Sequence, residues 1–160
     1  GEYNSIKPVP FEKSVLPGNE IKIFHTNLGN FGISICYEET QKVAKEYSAN
    51  GVSFLVSLAN TQRFEGTRGV YLASLYSNLR AAENAKYLIR ATNTGITKII
   101  NPYGKVVAQL KRNTEGFLIG DIYLNNKKKF YSLYGNLILY LILFVIGCFL
   151  VHRFRNLKSY

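Results

Sequence analysis

Short apolar runs alternate with polar segments through the first 126 residues of the chain. β-branched and aromatic residues fill Ile21–His25 and Phe31–Ile35, and the Asn and Gly residues between them favour a turn. Residues 52–58 (VSFLVSL) are apolar enough for a strand that is buried on both faces. The same pattern predicts further strands at 87–92, 97–101, 106–110 and 117–123.

Two segments between these runs have helical spacing. Residues 38–50 place Val43, Ala44 and Tyr47 on one face, and Gly51 is suited to end that helix. Residues 70–85 repeat apolar positions at the same spacing, and the polar stretch 60–69 before them predicts a loop. A β-α-β-α-β order followed by a meander of strands predicts an α/β fold with layers around a mixed sheet.

The C-terminal segment has a different pattern. Residues 133–151 form an uncharged run of nineteen residues, which as a helix would be about 28 Å long, close to the thickness of a bilayer core. A buried core helix is the alternative, but such helices are rarely apolar on every face. We therefore predict two parts, a folded domain over 1–126 and a basic-flanked transmembrane helix with a short tail over 127–160. The flanking charges do not decide the orientation of the span.

Composition and charge narrow the possible functions. The chain has 160 residues, is 47% hydrophobic and carries a net charge of +10, so it is not a disordered chain. Six of the excess positive charges flank the apolar run, which leaves +4 for residues 1–126 and weakens a nucleic-acid interpretation. Two cysteines are too few for a disulfide framework or a zinc site, and no metal or cofactor is predicted. The absence of Met and the start at Gly1 indicate a fragment or a processed product.

Cys36 is the candidate nucleophile. It lies at the end of an apolar strand and directly before a predicted helix, a junction that projects a side chain above the sheet edge. A helix N-terminus stabilises a thiolate, although the two following glutamates act in the opposite direction. A buried structural cysteine is the alternative. His25 is a candidate base, but a lone His at a strand end is typical of a surface residue, and no residue here is a convincing base.

Three stretches then establish a resemblance. GISICYEE (32–39), FLVSLANTQRF (54–64) and residues 79–110, ending in NPYGKVVAQL, resemble the C-terminal part of the nitrilase, or carbon–nitrogen hydrolase, superfamily. Together with the apolar run that follows, they resemble its apolipoprotein N-acyltransferase family. The resemblance covers about residues 1–123. It implies the C-terminal part of a nitrilase-like α-β-β-α sandwich followed by one transmembrane helix.

The resemblance also implies a catalytic set. The superfamily uses a Glu as general base, a Lys that stabilises the tetrahedral intermediate and a Cys nucleophile, and Cys36 matches the Cys. The Glu and Lys would lie upstream of Gly1. The family's supporting active-site positions are matched by Glu2, Tyr37 and Glu38. Lys7, Lys13 and Lys22 do not match the triad Lys. One departure concerns the substrate-side loop, where residues 60–64 read Asn-Thr-Gln-Arg-Phe and the family usually has Asn-Asp-x-Trp-Phe.

The implied reaction transfers a fatty acyl chain from a phospholipid, through a thioester on Cys36, to the N-terminal amine of a diacylated lipoprotein. The implied location is the bacterial inner membrane, with the catalytic domain on the periplasmic side and Lys158 in the cytoplasm. The partners are then the membrane and its lipids, and not nucleic acid. A membrane-anchored amidase of the same superfamily and a non-catalytic remnant are the alternatives. Without the Glu and Lys, residues 1–160 alone are expected to be inactive.

Overall fold

A six-stranded mixed sheet forms the centre of the protein. The structure, a computed structural model, describes residues 1–10 and 15–157. The strands lie in chain order across the sheet: β1 (Ile23–Thr26), β2 (Gly29–Ile35), β3 (Phe54–Ala59), β4 (Leu88–Thr92), β5 (Lys98–Ile100) and β6 (Val106–Gln109). Strands β2, β3 and β4 are parallel, and the other neighbouring pairs are antiparallel. The predicted mixed α/β sheet is confirmed.

Two α-helices, α1 (Val43–Ala49) and α2 (Gly69–Asn84), connect the parallel strands. Tyr47 of α1 packs so closely on β2 that a Cβ atom at Gly32 would lie 2.2 Å from its ring. Only glycine permits this approach of helix and strand. The hydrophobic core between helices and sheet consists of Val43, Ala44, Tyr47, Val52, Leu55, Ala81, Leu88 and Ile100.

The helix predicted over residues 38–50 is shorter in the structure and begins later. A five-residue 3-10 helix covers Cys36–Thr40, and α1 begins only at Val43. Gln41 has an extended backbone between the two and prevents a continuous helix. The α1 helix is followed by Gly51, whose φ of +82° is the left-handed conformation expected for the residue that ends it.

The predicted strand over residues 117–123 is wrong. This segment has no regular secondary structure, and Phe117, Ile119 and Tyr123 are all more than 70% exposed. Their alternation resembles that of a strand, but a strand also needs a neighbour with which to exchange backbone hydrogen bonds. Within the described ranges the segment pairs with no strand, so the local pattern is not realised.

The predicted transmembrane segment falls on two helices, α3 (Phe130–Tyr134) and α4 (Leu137–Leu157), with Gly135 between them at a φ of +56°. Among the residues described, no helix combines the length and the apolar character that crossing a membrane requires. Lys13, which does not match the triad Lys, and Lys158, which was predicted to lie in the cytoplasm, are outside the described residues. The division of the chain at residue 126 stays a prediction.

Candidate active site at the Cys36 turn

Cys36 lies where β2 ends and the first 3-10 helix begins. Its φ of +51° is in the left-handed region, which costs an ordinary side chain about 1–2 kcal/mol. The side chain is half-buried, and its Sγ atom lies 3.9 Å from the backbone oxygen of Asn60, the residue that follows β3. The sequence therefore predicted the place of Cys36 at a strand-to-helix junction, and the strained turn there directs its thiol across the end of the neighbouring strand.

A cleft of about 720 Å³ opens beside this thiol. Cys36 and Tyr37 contribute one wall, and the loop after β3 contributes another. The remaining surface comes from the N-terminal segment. The cleft is mainly apolar, with a few polar groups. The lining residues are Val9, Pro10, Cys36, Tyr37, Asn60, Gln62, Arg63 and Phe64. Its volume is in the range of small-molecule sites.

Glu38 does not line this cleft. It is fully buried beneath the turn, where one carboxylate oxygen accepts hydrogen bonds from the Tyr3 hydroxyl (2.8 Å) and from the backbone N–H groups of Ile6 (2.7 Å) and Lys7 (3.2 Å). The other oxygen accepts one from the backbone N–H of Ile35 (2.7 Å). Glu38 thus fastens the N-terminal segment to the turn that carries Cys36.

The other residues that the sequence predicted for the site do not all lie at the cleft. Tyr37 lines it, whereas Glu2 is exposed and is not among its lining residues. His25 lies on β1, and its Nδ1 is 2.9 Å from Oδ1 of Asn30 at the opposite end of β2. Asn30 and Cys36 are six positions apart along β2 and the residue after it, a distance of about 20 Å, so His25 is too far away to activate the thiol.

A buried ion pair behind the turn was missed by the sequence reasoning. Arg90 of β4 is fully buried and donates from Nε to Oε1 of Glu39 (3.0 Å) and from Nη2 to Oε2 (3.2 Å). The Ser57 and Ser77 hydroxyls donate to the same carboxylate. Arg80 of α2 adds hydrogen bonds to the backbone oxygens of Glu39 and Thr40. The sequence signal that could have indicated this ion pair was Arg90, a charged residue in a largely apolar strand.

Two buried lysines extend the polar interior. Lys98 lies opposite Arg90 in the sheet and donates from Nζ to Ser74 O (2.9 Å) and Asn78 Oδ1 (2.6 Å). Lys86 donates to the backbone oxygens of Asn125 and Lys127 (3.1 Å for the latter), which ties the segment before α3 to the sheet. Neither lysine faces the cleft at Cys36.

Because of these two lysines, we expect the free energy of unfolding to rise between pH 8 and 10. Burial lowers the pKa of both Lys86 and Lys98 from 10.5 to about 8, and repulsion from Arg90 also contributes at Lys98. Between pH 8 and 10 the unfolded chain therefore binds more protons than the folded protein, so the free energy of unfolding is expected to rise by roughly 4 kcal/mol. Above pH 10 it should fall again, because burial raises the pKa of Tyr3 and Tyr47 and only the unfolded phenols ionise. Urea unfolding followed by far-UV circular dichroism measures this.

The matched control for that experiment is Lys98→Met, which removes one of the two titrating groups. About half of the rise between pH 8 and 10 should disappear. A wild-type stability that is flat or decreasing over this interval would contradict the assignment.

Comparison with known proteins places the chain in a family. Residues 3–129 match the model of the carbon–nitrogen hydrolase family. Curated relatives include an apolipoprotein N-acyltransferase of a Synechocystis strain, which is 31% identical over 137 residues, and one of Wigglesworthia glossinidia brevipalpis, which is 32% identical over 142 residues. These alignments cover 85% and 88% of this chain but 26% and 27% of the relatives. The chain thus spans about a quarter of the length of the relatives it matches.

Solved structures support the same fold. An amidase from Nesterenkonia is similar with a TM-score of 0.64 at 15% identity, over 88% of this chain and 55% of the amidase. A nitrilase-superfamily protein of Saccharomyces cerevisiae has a TM-score of 0.55 at 22% identity, over 64% of this chain and 41% of that protein. At these identities the likeness concerns the fold alone, and it confirms the expected nitrilase-like α/β architecture. Together with the match over residues 3–129, it establishes that the chain belongs to the carbon–nitrogen hydrolase family.

Proposed function

We propose that the protein is an apolipoprotein N-acyltransferase in which Cys36 is the acyl-accepting nucleophile. The observation that carries this proposal is the position of Cys36 on a strained turn at the wall of a mainly apolar cleft. The names of the curated relatives support the choice of reaction. Tyr37 contributes to the cleft wall, Glu38 positions the turn, and Glu2 is included by resemblance.

The proposed reaction has two acyl transfers. In the first, the Cys36 thiolate attacks an ester carbonyl of a phospholipid, a C–S bond forms, the C–O bond breaks, and the lysophospholipid alkoxide takes a proton. In the second, the N-terminal amine of a diacylated lipoprotein attacks the thioester, a C–N bond forms, the acyl C–S bond breaks, and the proton lost by the amine passes to the thiolate, which regenerates the thiol. By resemblance, a Glu and a Lys that none of residues 1–160 matches manage the proton and the oxyanion. Residues 1–160 alone are therefore expected to be inactive.

We also propose that residues 133–151 lie in the inner membrane, with the catalytic domain on the periplasmic side. The support is the absence of charge in this run and the exposure of eight consecutive residues of α4: Leu139, Tyr140, Leu141, Ile142, Leu143, Phe144, Val145 and Ile146. Eight consecutive residues make more than two turns, so every face of this part of α4 presents apolar side chains. Apolar side chains on every face are suited to contact with lipid hydrocarbon, and this pattern is the support for the proposal.

The proposal predicts a fatty-acyl thioester on Cys36 of the full-length protein isolated from membranes. Mass spectrometry of the peptide that contains Cys36 should find an acyl adduct that neutral hydroxylamine releases. Cys36→Ala should carry no adduct, and Cys148→Ala, which removes the other cysteine, should retain it. The proposal is wrong if the wild type carries no adduct, or if Cys36→Ala carries the same one. Turnover of a soluble amide without phospholipid would favour an amidase instead.

A further inference from the structure

The cleft beside Cys36 has an uneven charge distribution. Among the described residues that line it, Arg63 is the charged one and none is a carboxylate. Glu65, two residues further on, lies at a separate depression with Thr92 and Lys111. Glu38 is buried beneath the turn with four hydrogen-bond donors around its carboxylate. The part of the cleft wall that the structure describes is therefore positive at Arg63, which favours a ligand with negative charge.

The guanidinium group of Arg63 has no binding partner among the described residues. The side chain is exposed, and no hydrogen bond or ion pair links it to another described residue. This differs from Arg80 and Arg90, which are both buried and hydrogen-bonded. An arginine that lines a cleft with its five N–H donors available is suited to bind phosphate, because two parallel hydrogen bonds match the phosphate oxygens.

The backbone that carries Arg63 is held in place. The short 3-10 helix Gln62–Phe64 begins with a hydrogen bond from the backbone N–H of Gln62 to Oδ1 of Asn60 (3.0 Å). Asn93, in the loop after β4, donates from Nδ2 to the same oxygen (2.9 Å). Arg63 is thus presented from a fixed turn at the carboxyl end of the sheet, on the same edge as Cys36.

Apolar groups complete the surface around the cation. Val9 and Pro10 line the cleft from the N-terminal segment, and Phe64, which is 44% exposed, lines it next to Arg63. Cys36 contributes the thiol to the same space. The combination of one cation, apolar walls and a thiol fits a molecule that has an anionic head, a reactive carbonyl and an acyl chain.

We infer that Arg63 binds the phosphodiester of the acyl-donor phospholipid and places that lipid's ester carbonyl near the Cys36 thiol. The inference rests on the proposed function for the identity of the donor. An ammonium headgroup next to the phosphate would be repelled by Arg63, so anionic phospholipids such as phosphatidylglycerol are preferred over zwitterionic ones. Arg63 is a binding residue that determines specificity, and it takes no part in the proton transfers.

A binding experiment tests this without relying on turnover. The lipids in this experiment are short-chain ether analogues, which have no ester carbonyl and cannot acylate Cys36. The full-length protein is incubated with the phosphatidylglycerol analogue, and the rate of Cys36 alkylation by a maleimide is measured. The lipid should protect Cys36 in the wild type, and half-protection should need about tenfold more lipid in Arg63→Gln and less of an increase in Arg63→Lys. Arg68→Gln is the matched control, because Arg68 is also exposed but does not line the cleft.

Other results would overturn the inference. Equal protection of the wild type and Arg63→Gln would remove Arg63 from the lipid site. Protection by inorganic phosphate as strong as that by the lipid would assign the site to free phosphate. Stronger protection by short-chain phosphatidylcholine than by phosphatidylglycerol would refute the preference for anionic lipids. If the alkylation pattern is as expected but Cys36 never carries an acyl group, the proposed function fails and the anionic-lipid site stands.

Discussion

Replacing Arg90 by methionine is expected to lower the free energy of unfolding by about 3 to 5 kcal/mol, because it removes the cation that is hydrogen-bonded to the buried Glu39 carboxylate. Arg90 is fully buried, and Glu39 is only 4% exposed. Without the guanidinium, that carboxylate retains only the hydroxyl groups of Ser57 and Ser77 as hydrogen-bond donors. The backbone oxygen of Ile96 also loses its hydrogen bond from Nη1 of Arg90 (3.0 Å). Urea unfolding at neutral pH, followed by far-UV circular dichroism, measures the loss.

A double variant separates the ion pair from the general effect of a core substitution. Glu39→Leu alone leaves the buried Arg90 unpaired and should destabilise the protein by a similar amount. Combining it with Arg90→Met removes both charges, so the double variant should lose much less stability than the sum of the two single variants. Arg68→Met, at an exposed position, should change the stability by no more than about 0.5 kcal/mol. Strictly additive single effects would show that Glu39 and Arg90 do not interact in solution.

The ion pair also shows what the sequence could not predict. The pattern of apolar residues identified the strands and α2, because backbone periodicity is a local property that a few residues encode. Glu39 and Arg90 are separated by fifty-one positions, and their contact exists only because β4 lies two strands away from β2 in the parallel part of the sheet. A pattern of polar and apolar positions contains no information on which charges meet. Glu39 was therefore assigned only a local effect on the thiol.

The errors at residues 38–50 and 117–123 have the same origin. In the first, Glu38 and Glu39 were predicted to begin a continuous helix, but both are buried and accept hydrogen bonds from distant groups. In the second, alternating apolar residues predicted a strand that has no neighbour. In both segments the tertiary partner decides the local conformation. Cys36 was located correctly because a strand end before a polar segment is a local signal.

Glu38→Ala is the second substitution with a large expected effect, a loss of about 3 kcal/mol or more in the free energy of unfolding. The variant removes a buried acceptor of four hydrogen bonds, three of which come from the backbone N–H groups of Ile6, Lys7 and Ile35. Those donors have no replacement partner when the carboxylate is absent, and hydrogen bonds to a charged acceptor are stronger than neutral ones. Glu38→Gln keeps the size but places an amide donor against one set of N–H groups, so an intermediate loss is expected.

The part of the protein that Glu38→Ala destabilises distinguishes a structural role of Glu38 from a catalytic one. If Glu38 fastens the N-terminal segment to the Cys36 turn, Glu38→Ala should speed hydrogen exchange at the amides of Ile6 and Lys7 and make that segment more sensitive to protease. Glu46→Ala, on the exposed side of α1, is the control and should leave both measurements unchanged. A Glu38→Ala protein as stable and as protected as Glu46→Ala, but with an altered rate of Cys36 alkylation, would instead assign Glu38 to the chemistry of the thiol. The hydrogen bonds to Ile6 and Ile35, both 2.7 Å long, favour the first result, because they join two segments whose separation would disturb the Cys36 turn before any reaction begins.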